Sequence, residues 1–303
     1  MYERFVNLVT PFDVDNKIDY FELFKLIDYQ LENEIDGIIL LGYLSEMHSL
    51  TSIERLELIN RCIKYINYRT KIIVGIPNDN INEILYFLEK IKDVEVDYFL
   101  IEPPYFCLND DVGISNYLTY LADNVSKPLL VKNYSMTNSV HLNSDVITHL
   151  SYHKNIGGII YNNGCLKEVV NYSKLKRENF KVYCGNDNLI LQSLVFKDSG
   201  IVSMVGTAYP KRIKEICDYF NINNQVAVER FIELSNIIED LSVDNSIVGL
   251  KYLISLLGFN FKKVRMPLGE CSKQIKRKIE EDCLDLWYLY LKLDFLGFNL
   301  LIN

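Results

Sequence analysis

Eight short apolar runs, each followed by a longer segment with helical spacing, constrain this chain more than any other feature. The runs lie at residues 5–9, 37–42, 71–75, 98–101, 128–131, 157–160, 181–184 and 200–205. They are continuous rather than alternating, which is the pattern of parallel strands covered on both faces. Between them, helical periodicity predicts helices near 19–31, 51–66, 80–92, 110–124, 143–152, 166–177, 188–198 and 210–220. Asp19 caps the first, and Thr51-Ser-Ile-Glu54 forms a capping box ahead of the second. Eight strand–helix units predict an α/β fold, a (β/α)8 barrel. A doubly wound open sheet is the alternative, but the chain has no GxGxxG or P-loop sequence. After residue 221 the strands stop, and 225–241, 246–257 and 275–293 read as helices. The expected division is therefore a barrel over 1–222 and a helical segment over 223–303 packed on it.

Composition narrows the function. Lys and Arg total 32 against 40 Asp and Glu, a net charge of −8, with 49% apolar residues in 303. That balance suits a packed globular protein and disfavours a nucleic-acid surface, which needs clustered cations. The seven cysteines are scattered and form no CxxC, so neither a disulfide framework nor a zinc module is expected, and a reducing cytoplasm is. The N-terminal residues show no signal-peptide pattern. The most apolar stretch, 284–302, is interrupted by Asp285, Lys292 and Asp294, so a packed final helix is expected there rather than a membrane span. His149 and His153 share a helical face, but far from the strand ends, and no metal is expected.

A barrel of this kind keeps its chemistry where its strands end. Those positions are Thr10-Pro11, Gly42-Tyr-Leu-Ser-Glu46, Gly75-Ile-Pro-Asn78, Glu102-Pro-Pro-Tyr-Phe106, Lys132-Asn-Tyr134, Tyr161-Asn-Asn163, Gly185-Asn-Asp187 and Gly206-Thr207. Asp187 is either a site residue or the cap of the seventh helix. Glu46 is either a buried anchor of its turn or a partner of Lys132. His48 lies close to Glu46 at the expected mouth.

In order and spacing these segments resemble the dihydrodipicolinate synthase / N-acetylneuraminate lyase family. The resemblance rests on Val9-Thr-Pro-Phe12, Gly42-xxx-Glu46, Pro103-Pro-Tyr105, Pro128-Leu-Leu-Val-Lys-Asn133, Asn155-Ile-Gly-Gly-Ile159, Gly185-Asn-Asp187 and Gly200-Ile-Val-Ser203. The late Lys251 and Arg265-Met-Pro267 fit it too. It implies a lysine on the sixth strand that captures a 2-oxo acid such as pyruvate as a Schiff base. It also implies a proton-relaying tyrosine on the fifth strand and a Gly-Thr-Thr-Gly-Glu turn that binds the carboxylate. A homodimer or homotetramer is implied, and no nucleotide, flavin or metal cofactor.

This sequence departs from that pattern where the chemistry lies. The lysine position reads Ile160 and the fifth-strand tyrosine position reads Lys132. The carboxylate turn reads Tyr43-Leu44-Ser45-Glu46, and Phe106 and Thr137 stand where a second tyrosine and an arginine are implied. Three readings follow. Lys132 can replace the nucleophile from the neighbouring strand, ~4.8 Å away, with Tyr161, Tyr43 or Tyr134 as acid or base. The chain can be a non-catalytic paralogue that binds a ligand or serves as a scaffold. Or the pocket can run acid–base chemistry without a covalent adduct. The candidate catalytic residues are Lys132 and Tyr161. The candidate binding residues are Tyr43, Leu44, Glu46, Tyr105, Asn133, Ile160, Asp187 and Ser203.

Overall fold

The structure, a computed structural model, describes residues 2–77, 80–104, 110–133, 141–162, 165–243 and 246–300. For 243, 246 and 287–300 it describes the backbone alone. Eight parallel strands close into a barrel in sequence order: β1 Glu3–Asn7, β2 Gly37–Leu40, β3 Lys71–Gly75, β4 Tyr98–Ile101, β5 Leu129–Asn133, β6 Ile156–Tyr161, β7 Lys181–Cys184 and β8 Gly200–Ser203. Helices α1 Tyr20–Glu32, α2 Ser52–Ile66, α3 Ile81–Lys90 and α4 Asp111–Asp123 follow the first four strands. Helices α5 Ser144–Leu150, α6 Leu166–Leu175, α7 Ile190–Val195 and α8 Pro210–Phe220 follow the rest. This is a (β/α)8 barrel.

Local sequence fixes several of these boundaries. Asp19 accepts the Glu22 amide at the start of α1. At α2, Thr51 and Glu54 exchange both bonds of the capping box. The apolar run at 5–9 outlasts β1, which ends at Asn7; Leu8 and Val9 stay buried in the connection beyond it.

The strands separate two apolar layers. Inside the barrel, Phe5, Ile39, Ile73, Leu100, Leu130, Ile160 and Tyr183 pack as one cluster, with Val202 against it. The other faces of the strands join the helices in a larger core. Because side chains alternate across a strand, the residue two beyond each lumen residue also faces the lumen, one layer nearer the mouth.

Three further helices follow the barrel: α9 Asn224–Val243, α10 Ser246–Leu256 and α11 Lys273–Leu300. Helix α9 packs along α8, while α10 reaches the turn after β2. Leu286 of α11 is buried and Leu284 is exposed. Among the described residues no helix is long and apolar enough to cross a membrane.

Candidate functional site

Ile160 lies in the lumen cluster, 2% exposed, directly paired in register with Lys132 on β5. Its Cγ2 methyl fills the space beside Gly185, where an added Cβ would come within 2.9 Å of it. The position that the resemblance gives to a nucleophile is thus filled by the Ile160 hydrocarbon, which offers no amine.

Lys132 also faces the lumen, two residues beyond Leu130. It is 9% exposed, and a lysine this buried needs a partner. That partner is Glu102, one residue beyond β4, whose Oε1 lies 2.5 Å from Nζ. The ammonium also stands 5.1 Å from the centre of the half-buried Tyr43 ring, a cation–π contact. Tyr43, Glu102 and Lys132 therefore form one arc of the mouth.

Glu46, by contrast, turns away from Lys132. It sits in a left-handed conformation (φ 56°) between two 3-10 turns, Tyr43–Ser45 and Met47–Ser49. Its Oε1 pairs with Lys251 Nζ from α10, and its Oε2 accepts the Arg265 amide at 2.8 Å. Lys251 also donates to the Lys263 carbonyl at 2.8 Å. Burial pushes the Lys251 ammonium down to about 8, against the upward pull of Glu46. Glu46 is the anchor of its turn, not the partner of Lys132.

Strand alternation removes other candidates from the mouth. Tyr161, next to Ile160, points outward and donates to Asp198 Oδ2 at 2.6 Å in the layer under the helices. Burial pushes its hydroxyl far above the usual tyrosine range, and the hydroxyl faces away from the lumen. Asn133, next to Lys132, is fully buried on the outer side. Its amide donates to the Leu142 carbonyl and accepts the Leu142 amide, while Tyr172 is 3.0 Å away. It clamps the chain ahead of α5.

Asp187 and Ser203 are committed to each other. The Ser203 hydroxyl donates to Asp187 Oδ1 at 2.5 Å and accepts the Gly206 amide. Asp187 Oδ2 accepts the amides of Met204 and Val205, each at 3.0 Å. Burial raises the Asp187 carboxyl above its ordinary range, while these donors oppose the rise. The pair staples the turn after β8, and Asp187 does not cap α7. Leu44 packs in the outer core. Tyr105, Phe106, Tyr134 and Thr137 lie outside the described residues.

Two lumen residues escaped the sequence reading. Glu102 stood in a strand-end segment with no role given to it. Asn7, two residues beyond Phe5, also faces the lumen; it is 7% exposed, and no described donor reaches its buried Oδ1. The signal for both is the same two-residue step from a lumen-facing position. Among the described residues no group of three or more His, Cys, Asp or Glu is placed to hold a metal.

The family model for the dihydrodipicolinate synthetase family matches residues 2–284. The chain belongs to the dihydrodipicolinate synthetase family. It is 27% identical over 276 residues to a 4-hydroxy-tetrahydrodipicolinate synthase of Brachyspira hyodysenteriae, covering 91% of this chain and 94% of that protein. A 4-hydroxy-tetrahydrodipicolinate synthase of Karelsulcia muelleri is 29% identical over 279 residues, covering 90% and 94%. The solved synthase of Methylacidiphilum fumariolicum SolV superposes with a TM-score of 0.91 at 23% identity, covering 98% of this chain and 99% of that one. A dihydrodipicolinate synthase described as a monomeric variant gives a TM-score of 0.88 at 22% identity, covering 94% and 96%. At these identities the structures attest the shared barrel. The family match spans the barrel and the beginning of α11.

Proposed function

We propose that this member of the dihydrodipicolinate synthetase family has a degenerate active site and binds a small carboxylic acid reversibly at the barrel mouth, without capturing it as a Schiff base on β6. The observation that carries this reading is the pairing of Ile160 with Lys132. The β6 position offers no amine, and the amine beside it is held by Glu102 at 2.5 Å. An ammonium engaged by a carboxylate has no lone pair for attack on a ketone. The same ammonium, backed by the Tyr43 ring, is suited to meet a ligand carboxylate. A ligand-binding or scaffold role in a cytoplasmic homodimer or homotetramer completes the proposal.

A second reading is an active lyase on pyruvate or another 2-oxo acid that uses Lys132 as a relocated nucleophile. It is favoured by one observation: Lys132 enters the same lumen as Ile160 and is its register partner. Turnover and reversible binding separate the two. On the first reading, millimolar pyruvate raises the melting temperature, dialysis abolishes the rise, and no condensation or cleavage product forms. Product formation that disappears in Lys132→Met establishes the second.

A further inference from the structure

The last helix is longer than the family fold requires. The family match ends at residue 284, whereas α11 runs as one helix over Lys273–Leu300. Its first half is anchored. Ile279 and Leu286 are buried, α9 and α10 lie against it, and the Asn236 amide of α9 reaches Asp282 at 3.4 Å. Its second half, 287–300, reads Trp-Tyr-Leu-Tyr-Leu-Lys-Leu-Asp-Phe-Leu-Gly-Phe-Asn-Leu. Ten of these fourteen residues are apolar, too many for one stripe, so a helix of this sequence is apolar around most of its circumference and needs cover. The body offers such cover where α11 meets it. Tyr209 ahead of α8, Leu256 and Leu257 at the end of α10, and Cys283 and Leu284 of α11 line an apolar groove of about 520 Å³. Leu256, Leu257 and Leu284 are exposed, Leu284 to 64%. The polar groups of the groove are spent within the chain: the Tyr209 hydroxyl lies 3.4 Å from Cys283 Sγ, and Glu280 accepts the Tyr252 hydroxyl.

A continuous helix cannot double back. Residues 287–300 extend ~21 Å beyond Leu286, away from the groove that the preceding turns of α11 help to wall. The same segment of a second copy, entering antiparallel, can lie in that groove. The exchange is two-fold: each copy gives a tail and a groove, so the contact closes and leaves no open end. A specific interface needs roughly 1,000 Å² of buried surface and a buried aromatic side chain supplies ~150 Å² or more. The five aromatics of each tail, ten in a pair, are enough to meet it when most are covered. Charge favours protein over lipid as the cover. Lys273, Lys276, Arg277 and Lys278 are matched by Glu280, Glu281, Asp282 and Asp285, and the whole chain carries −8, so nothing draws α11 to an anionic membrane surface. We propose that residues 287–300 of one copy lie in the groove of Tyr209, Leu256, Leu257 and Leu284 of a second copy, and reciprocally, joining two chains through their C-terminal helices. This rests on the self-association in the reading above, gives it a surface, and is independent of the ligand.

The test is photo-cross-linking of the full chain with p-benzoylphenylalanine in place of Leu257, prepared as an equal mixture of isotopically light and heavy chains. Cross-links from position 257 to peptides of the tail are expected, with light–heavy pairs at the frequency of random mixing. Tail cross-links confined to light–light and heavy–heavy pairs, or none to the tail, overturn the proposal. Leu257→Glu in the groove and Leu291→Glu in the tail are each expected to halve the mass of the assembly in light scattering at micromolar concentration, with the circular dichroism spectrum unchanged. An unchanged mass in both folded variants overturns the proposal and leaves an oligomer built through another surface. A monomeric wild type removes the homo-oligomer of the reading above as well, while ligand binding at the mouth stands. Flotation of the wild type with vesicles of phosphatidylcholine and phosphatidylglycerol, lost in Leu291→Glu, overturns the proposal in favour of a lipid surface. The cross-linking result decides the matter whether or not the glutamate variants fold.

Discussion

Ile160 and Tyr161 are consecutive, yet one lines the lumen and the other lies beneath the helices; the same holds for Lys132 and Asn133. Each adjacent pair can supply only one residue to the mouth. Tyr161→Phe is therefore expected to leave ligand binding untouched and cost about 1–2 kcal/mol in urea unfolding, because Asp198 loses a buried donor. Loss of ligand affinity with unchanged stability would place Tyr161 at the site after all. Ile160→Lys puts an ammonium among Phe5, Leu130 and Tyr183, next to Gly185. It is expected to destabilise the barrel by on the order of 3 kcal/mol. A neutral result in denaturant titration would show that the lumen has room and water for a charge.

Among the elements, the turn after β2 depends on the helices that follow the barrel. Glu46 is held from α10 by Lys251 and from the segment beyond it by the Arg265 amide. Lys251→Met leaves a buried carboxylate unpaired and is expected to cost about 3–5 kcal/mol, whereas Lys251→Met with Glu46→Gln recovers much of that loss. Equal losses in the single and double variants contradict the pairing. The Arg265 guanidinium also grips Glu54, through bonds of 2.6 and 2.9 Å, and holds its carboxyl down to about 2. A lowered folded value stabilises above the ordinary carboxylate range and is lost as pH falls from about 4.5 through about 2. The expected contribution is about 1 kcal/mol after screening by solvent. Acid titration of melting temperature should show this fall in the wild type and a smaller one in Arg265→Gln.

At the scale of the whole molecule, the barrel was readable because eight continuous runs separated by capped helices leave few other arrangements. Boundaries such as the capping box at Thr51 were readable for the same local reason. The site was only partly readable. A continuous apolar run does not say which of its residues face inward, so it cannot place Tyr161 and Asn133 outside the lumen or Asn7 within it. Alternation, once anchored at Ile160, would have excluded Tyr161. The partners of Lys132 and Glu46 could not be chosen from the sequence. Glu102 and Lys251 are brought to them by strand register and by α10, and both depend on closure of the fold. The central claim concerns one missing covalent bond. Its most direct test is sodium borohydride treatment of the intact protein with saturating pyruvate, followed by intact-mass measurement and peptide mapping. Unchanged mass is predicted; a reduced pyruvyl adduct on Lys132, or on any other lumen lysine, contradicts the account.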